Sequence, residues 1–139
     1  MQFKTIDQLL EEFDSLEDWE ERCDFLIDLG FELQGLPPEA KTEENRVYGC
    51  QSNVWLVAHV TQNGESVIEL EADSDSMLVK GLISVLLTIY SGRTSSEILE
   101  TDVKSIFTQL GFDRYLSSAR RNGLFGVVKR IRAIAERTA

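Results

Sequence analysis

Cysteine, histidine and proline are scarce in this chain of 139 residues, which holds two, one and two of them. Two cysteines cannot build a disulfide framework, and no Cys-x-x-Cys pair is present to act as a redox dithiol. Two cysteines and one histidine also fall short of a structural zinc site, and their spacing is unlike one. Long apolar runs are missing. The densest, Met77 to Tyr90, is interrupted by Lys80 and is shorter than the roughly 20 residues needed to cross a bilayer. The acidic start lacks the basic and apolar regions of a signal peptide, so the expected location is the cytoplasm, with no membrane partner. Cations are outnumbered 14 to 24, and a net charge of −10 argues against nucleic acid as a partner.

What charge there is lies unevenly. Residues 1 to 46 hold 14 acids and 4 Lys/Arg, whereas the chain from Arg114 onward holds 7 Lys/Arg and the single acid Glu136. Opposed charged ends suit docking to protein partners, although solvated helix faces would produce the same pattern. Length and composition fit one domain over residues 1 to 139.

The chemistry is carried by Gly49-Cys50-Gln51-Ser52, which precedes the β-branched and aromatic run starting at Val54. Small polar residues around a thiol read as a loop presenting Cys50 at the mouth of a strand, with Gly49 allowing the backbone to re-aim it. Cys23 instead falls in the apolar stripe Trp19, Cys23, Leu26, Ile27 and Gly30 of a helix, where a thiol acts as a small hydrophobe. His59 lies nine residues beyond Cys50 on an extended segment, roughly 30 Å away if fully stretched, which disfavours a Cys-His pair.

Ile6, Leu9, Leu10 and Phe13 mark a first helix, and Ser15 with Asp18 is read as the cap of a second that Gly30 ends or tightens. Arg46 to Tyr48 is a candidate short strand. Val54 to Thr61 and Ser66 to Ala72 form a hairpin, with Asn63-Gly64 expected to hold positive φ at both central turn positions. The first strand, apolar on both faces at its start, is expected in the middle of its sheet. Ser74 or Asp75 is expected to cap a helix from about Ser76 to Tyr90 that is apolar nearly all round and so buried. Gly81 within it marks a close backbone approach, with the Cys50 loop as the expected neighbour. Thr94 to Glu97 is a capping box, Asp102 caps a further helix that Gly111 closes, and Leu116-Ser117-Ser118 opens the last. Strands grouped between helices predict an α+β fold: a small antiparallel sheet packed against a buried central helix and flanking helices.

With those motifs placed, the chain resembles the SufE family of sulfur acceptors. The resemblance covers nearly the whole chain. It rests on Gly49-Cys50-Gln51-Ser52-x-Val54-Trp55, Ala72-Asp73-Ser74-Asp75, Val79-Lys80-Gly81-Leu82, Leu116-Ser117 and Arg120-x-Asn122-Gly123-Leu124. It implies the fold shared with IscU-type scaffolds. It implies a Cys50 persulfide taken from a pyridoxal-phosphate-dependent cysteine desulfurase, SufS-like or CsdA-like, and passed to a SufB-containing complex. It implies no cofactor or metal on this chain, and an accessory sulfurtransferase subunit without turnover of its own. Monomer and homodimer are both open. Arg120 is a candidate support for the Cys50 thiolate, and Asp73 and Asp75 for the loop backbone, with helix capping the preferred role of the two acids. Two other readings stand beside it: a non-catalytic adaptor that activates a desulfurase, and a thiol hydrolase using Cys50 with His59.

Overall fold

The computed structural model describes residues 5–48 and 52–138. Among them an α+β architecture appears, with a three-stranded antiparallel sheet and seven α-helices.

The helices α1 (Ile6–Ser15) and α2 (Trp19–Glu32) lead into a short 3-10 turn, Pro38–Ala40. The Thr5 hydroxyl and the Gln8 side chain close a capping box on α1. The cap of α2 is Asp18, whose carboxylate accepts the Glu21 N–H; Ser15, expected in that role, is the last residue of α1. An acid at that place satisfies an orphan N–H and faces the positive end of the helix dipole.

The hairpin is made of β1 (Val54–Asn63) and β2 (Glu65–Ser74). A two-residue Asn63-Gly64 turn would pair Gln62 with residue 65. The observed register pairs Gln62 with Ser66, and Gly64 alone of the two takes positive φ (96°). The hydrophobic pattern explains the shift. The observed register sets Leu56 opposite Ala72 and Ala58 opposite Leu70, so apolar residues of both strands share the core face. A slip by one residue would set them against Glu71 and Glu69.

The third strand is β3 (Arg93–Thr94), which pairs with β2 at Val67 and Ile68; it does not come from residues 46 to 48. Strand order is β1-β2-β3, so β1 lies at an edge and not in the middle. Residues 45–47 shield that edge: Val47 N–H donates to the Val54 carbonyl, and Leu56 N–H to that of Asn45. The second apolar face of β1 is accounted for by Trp55, whose ring lies 5.4 Å from the Lys41 ammonium. Apolar character on both faces here reports cover by a loop cation.

Helix α3 (Met77–Tyr90) is the packing centre, with ten of its residues buried. It lies against α2, β2, α1 and α7 (Ser118–Thr138). Ser76 caps it, accepting the Val79 N–H, so neither Ser74 nor Asp75 serves as the cap. The close approach at Gly81 is to α2, not to the Cys50 loop: a Cβ there would overlap the Leu26 carbonyl. Gly30, inside α2 and not at its end, faces the Met77 carbonyl in the same crossing.

Helices α4 (Ser95–Glu100), α5 (Val103–Leu110) and the unforeseen α6 (Phe112–Tyr115) complete the chain before α7. The capping box of Thr94 and Glu97 forms as expected. Gly111 ends α5 in the left-handed region, and the turn lets Phe112 enter the core, edge-on to Phe13 and Trp19.

Tyr90 is fully buried, and among the described residues its hydroxyl has no hydrogen-bond partner. A stranded buried hydroxyl costs about 1 kcal/mol or more, and an isosteric apolar ring removes that cost. Tyr90→Phe is therefore expected to melt no lower than the parent and up to a few degrees higher by calorimetry. A clear fall in Tm would show that the hydroxyl has a partner in solution.

Candidate functional site

Gly49, Cys50 and Gln51 lie outside the described residues. The site is therefore built from what surrounds them. Tyr48 and Ser52 flank the gap, and the Val47–Val54 hydrogen bond closes the base of the loop. Beyond the last ladder pair, Val54 with Ser74, the register sets Asn53 opposite Asp75. There the two form a clamp. Asp75 accepts the Asn53 backbone N–H at 3.1 Å on one oxygen and the side-chain amide at 2.7 Å on the other. The Asp75 N–H donates back to the Asn53 carbonyl. Asp75 thus does bind the loop backbone, the role ranked behind capping from sequence.

Asp73 does neither. Its carboxylate is buried and accepts N–H bonds from Leu36 at 3.0 Å and Ser74 at 2.8 Å. Lys41 lies at 3.2 Å and Lys80 at 3.6 Å. Gly35, at φ 76°, packs its backbone on the same carboxylate and turns the chain so that Leu36 N–H points inward. Burial alone would push the Asp73 carboxyl up. The N–H bonds from Leu36 and Ser74, together with the Lys41 ammonium, outweigh it and hold the group below the usual carboxylate range. Asp73 therefore ties the loop after α2 to the end of β2 and the first turn of α3.

A group whose folded pKa is depressed stabilises fully above its unfolded value, about 3.9 for Asp, and the gain fades as pH falls through the lowered folded value. Asp73→Asn keeps one acceptor but loses the charge. It is expected to cost about 2 kcal/mol, as for hydrogen bonds to charged groups. In urea titrations the gap to the parent should stay constant from neutral pH to about 5 and narrow below about 4. A gap that widened in acid would overturn this assignment.

Beside Ser52 lies a cavity of about 30 Å³. Val54 of β1, Val79, Leu82 and Ile83 of α3, and Leu124 and Val127 of α7 make its walls apolar. Arg120 and Gly123 complete the lining from α7. The space suffices for one or two atoms of water size. Gly123 is buried at the cavity wall within the unbroken α7. Among the described residues no carboxylate pairs with the Arg120 guanidinium. Two backbone supports come from further along α7. Arg130 donates to the carbonyls of Glu44 at 2.7 Å and Arg46 at 3.2 Å, and the Gly126 backbone packs close to the Tyr48 carbonyl.

Of the residues singled out from sequence, the structure brings Ser52 and Arg120 to one cavity and Asp75 to the loop stem. Asp73 and Gly81 it assigns to scaffolding. Asn53, Gly126 and Arg130 were missed. Asn53 was legible in principle, because the correct hairpin register puts its amide opposite Asp75.

Cys23 is half-buried on α2. Burial, then the Asp24 carboxylate, push its thiol up, against a smaller opposing pull from Arg120. A protonated thiol is a poor nucleophile. His59 does not line the cavity; it lies on β1 3.4 Å from Glu71. Among the described residues there is no cluster of three or more His, Cys, Asp or Glu that could hold a metal ion. No described helix is long and apolar enough to cross a membrane.

A small apolar cavity walled by β1, α3 and α7, with Ser52 at its edge and the Asn53–Asp75 clamp beside it, marks the candidate site of this α+β protein. That fold recurs in a solved structure, a hypothetical protein from Thermus thermophilus. The two superpose with a TM-score of 0.73 over 96% of this chain and 94% of the other, at 23% identity. Residues 7–135 match the SufE family, described as an Fe-S metabolism associated domain. An uncharacterised SufE-like protein of Rhizobium meliloti (strain 1021) is 41% identical over 95% of both chains. One from Rhizobium etli is 44% identical over 95% of this chain and 90% of its own. The chain belongs to the SufE family, which is associated with iron–sulfur metabolism.

Proposed function

We propose that this chain accepts sulfane sulfur on Cys50 from a cysteine desulfurase and passes it on for iron–sulfur cluster assembly. The observation that carries the reading is the built surround of the Cys50 segment. Its stem is clamped by Asp75, braced from α7 by Arg130, and set over an apolar cavity whose wall holds the Arg120 guanidinium.

The chemistry is a thiol exchange. The Cys50 thiolate attacks the outer sulfur of a cysteine persulfide on the partner. One S–S bond forms as the other breaks, the partner cysteine leaves as thiolate, and the thiol proton lost by Cys50 returns to it through solvent. No net oxidation occurs, so this chain needs no electron carrier. Arg120 is proposed to favour the attacking thiolate by its charge. Gly49 and Gln51 are proposed to shape the loop tip around the thiol, with Ser52 at the cavity edge. A single added sulfur held against an apolar wall would be kept from water and oxidants, to which persulfides are easily lost. The next acceptor is proposed to be a thiol of a SufB-containing scaffold complex, in the cytoplasm.

Intact-mass measurement tests this directly. After incubation with a pyridoxal-phosphate-dependent cysteine desulfurase and free cysteine, the chain should gain about 32 Da, the mass of one sulfur atom, and lose it on reduction. No gain with desulfurases of either the Suf or Csd type would leave the adaptor role, in which the chain stimulates its partner without carrying sulfur.

A further inference from the structure

Helix α7 turns one face to the cavity beside Ser52 and the next face to a separate groove of about 550 Å³ against α5. Lys104, Lys129 and Arg132 line that groove, over an apolar floor that includes Phe125 and Val128. Among the described residues Asp102 is the only acid in its wall, and its carboxylate is engaged in capping α5 through the Ser105 N–H. Arg132 is held in place by donating to the Leu99 carbonyl at 3.1 Å. Lys104 and Lys129 are exposed, and among the described residues neither has an ion-pair partner. In a chain with 24 acids and 14 Lys/Arg, free cations gathered in one concave place leave a local field opposite to the net charge.

The groove is continuous with the Cys50 surround. Gly126 lines it, and a Cβ at that position would lie 3.3 Å from the carbonyl oxygen of Tyr48, the last described residue before the loop tip. Tyr48 is itself well exposed, at 61%. A segment seated in the groove therefore lies alongside the loop.

We infer that this groove docks an acidic segment of the cysteine desulfurase that donates sulfur to Cys50, one carrying Asp or Glu side chains for Lys104 and Lys129 and an apolar side chain for Phe125. The inference rests on the sulfur-acceptor reading for the identity of the partner. Attraction between exposed charges at the rim of an interface acts mainly on encounter and weakens with salt.

The test is calorimetric binding of a cysteine desulfurase of the same organism, without cysteine, at low and high ionic strength, beside the mass measurement with cysteine. The parent, the double variant K104E/K129E and the control R137E are compared; Arg137 is exposed and lies about 12 Å further along α7 than Lys129. The double variant should bind about tenfold more weakly at low salt and lose most of the salt dependence, while R137E matches the parent. Equal binding by the double variant and the parent would overturn the groove, whether or not both proteins gain sulfur. Weakening by R137E to the same extent would also overturn it, by showing a response to net charge alone. Failure of the parent to bind at all would overturn it outright. If the double variant binds weakly while no protein gains sulfur, the docking surface stands and the acceptor reading falls. Should the double reversal not fold, K104Q/K129Q serves in its place, with a smaller expected loss.

Discussion

Cys50→Ser protein, incubated with desulfurase and cysteine, is expected to gain no sulfur, while Cys23→Ser gains as much as the parent. The contrast follows from thiol chemistry. Exchange needs a thiolate that can attack and later be attacked, and a serine hydroxyl does neither near neutral pH. Cys23 is the internal control, because burial and Asp24 keep its thiol protonated. The effect at Cys50 is all-or-none: the reductant-sensitive mass gain of about 32 Da disappears. Both variants should keep the parent far-UV circular dichroism and melting curve. Sulfur found on Cys50→Ser, or lost from Cys23→Ser, would move the acceptor site to α2. A Cys50→Ser protein that still stimulates a desulfurase fully would support the adaptor role instead.

The largest effect on stability is expected at Gly81. Alanine there would add a Cβ that overlaps the Leu26 carbonyl across the α2–α3 crossing. On helix propensity alone the change should stabilise by about 1 kcal/mol. The clash opposes it. The atom in the way is backbone, not the end of a flexible side chain, so the two helices must separate. Both are anchored elsewhere, α2 by Leu26 and Leu29 and α3 by nearly its whole surface. Overpacking of this kind costs about 3 kcal/mol, which in a domain of this size lowers Tm by roughly 10 °C. The same change at Gly30 meets the Met77 carbonyl and should act in the same direction. A Gly81→Ala protein as stable as the parent would show that the helices cross at a greater distance than the structure indicates.

These two residues illustrate unequal legibility. Cys50 is singled out by its neighbours, because small polar residues beside a glycine and a thiol do not build a core; its own placement lies outside the described residues. A close approach at Gly81 could also be read, since glycine in a buried helix is costly without one. Which backbone approaches could not, and the loop expected there proved to be α2. Asp73 and Asp75 show the same division. Two acids ahead of a helix satisfy every local rule for capping, yet Ser76 does the capping. Asp73 is drawn away by Leu36 N–H and two lysines, and Asp75 by Asn53. Apart from Lys80, those partners lie more than 20 residues away in sequence, so no local pattern contains them.

The sequence by itself determined the α+β class, the hairpin, most of the helices, the core face of β2 and the burial of α3. These follow from periodicity and from the conformational limits of single residues, which act over a few positions. Tertiary structure alone decided the strand order, the one-residue shift of the hairpin register, and the meeting of Ser52 and Arg120 at one cavity. The reason is energetic. The Asn63-Gly64 turn expresses the preference of two residues only. Facing Leu56 to Ala72 across the hairpin instead of Glu71 keeps charged side chains out of the core along its whole length. Where a local preference and the burial of a whole face disagree, the face prevails, and only the folded chain shows which face that is.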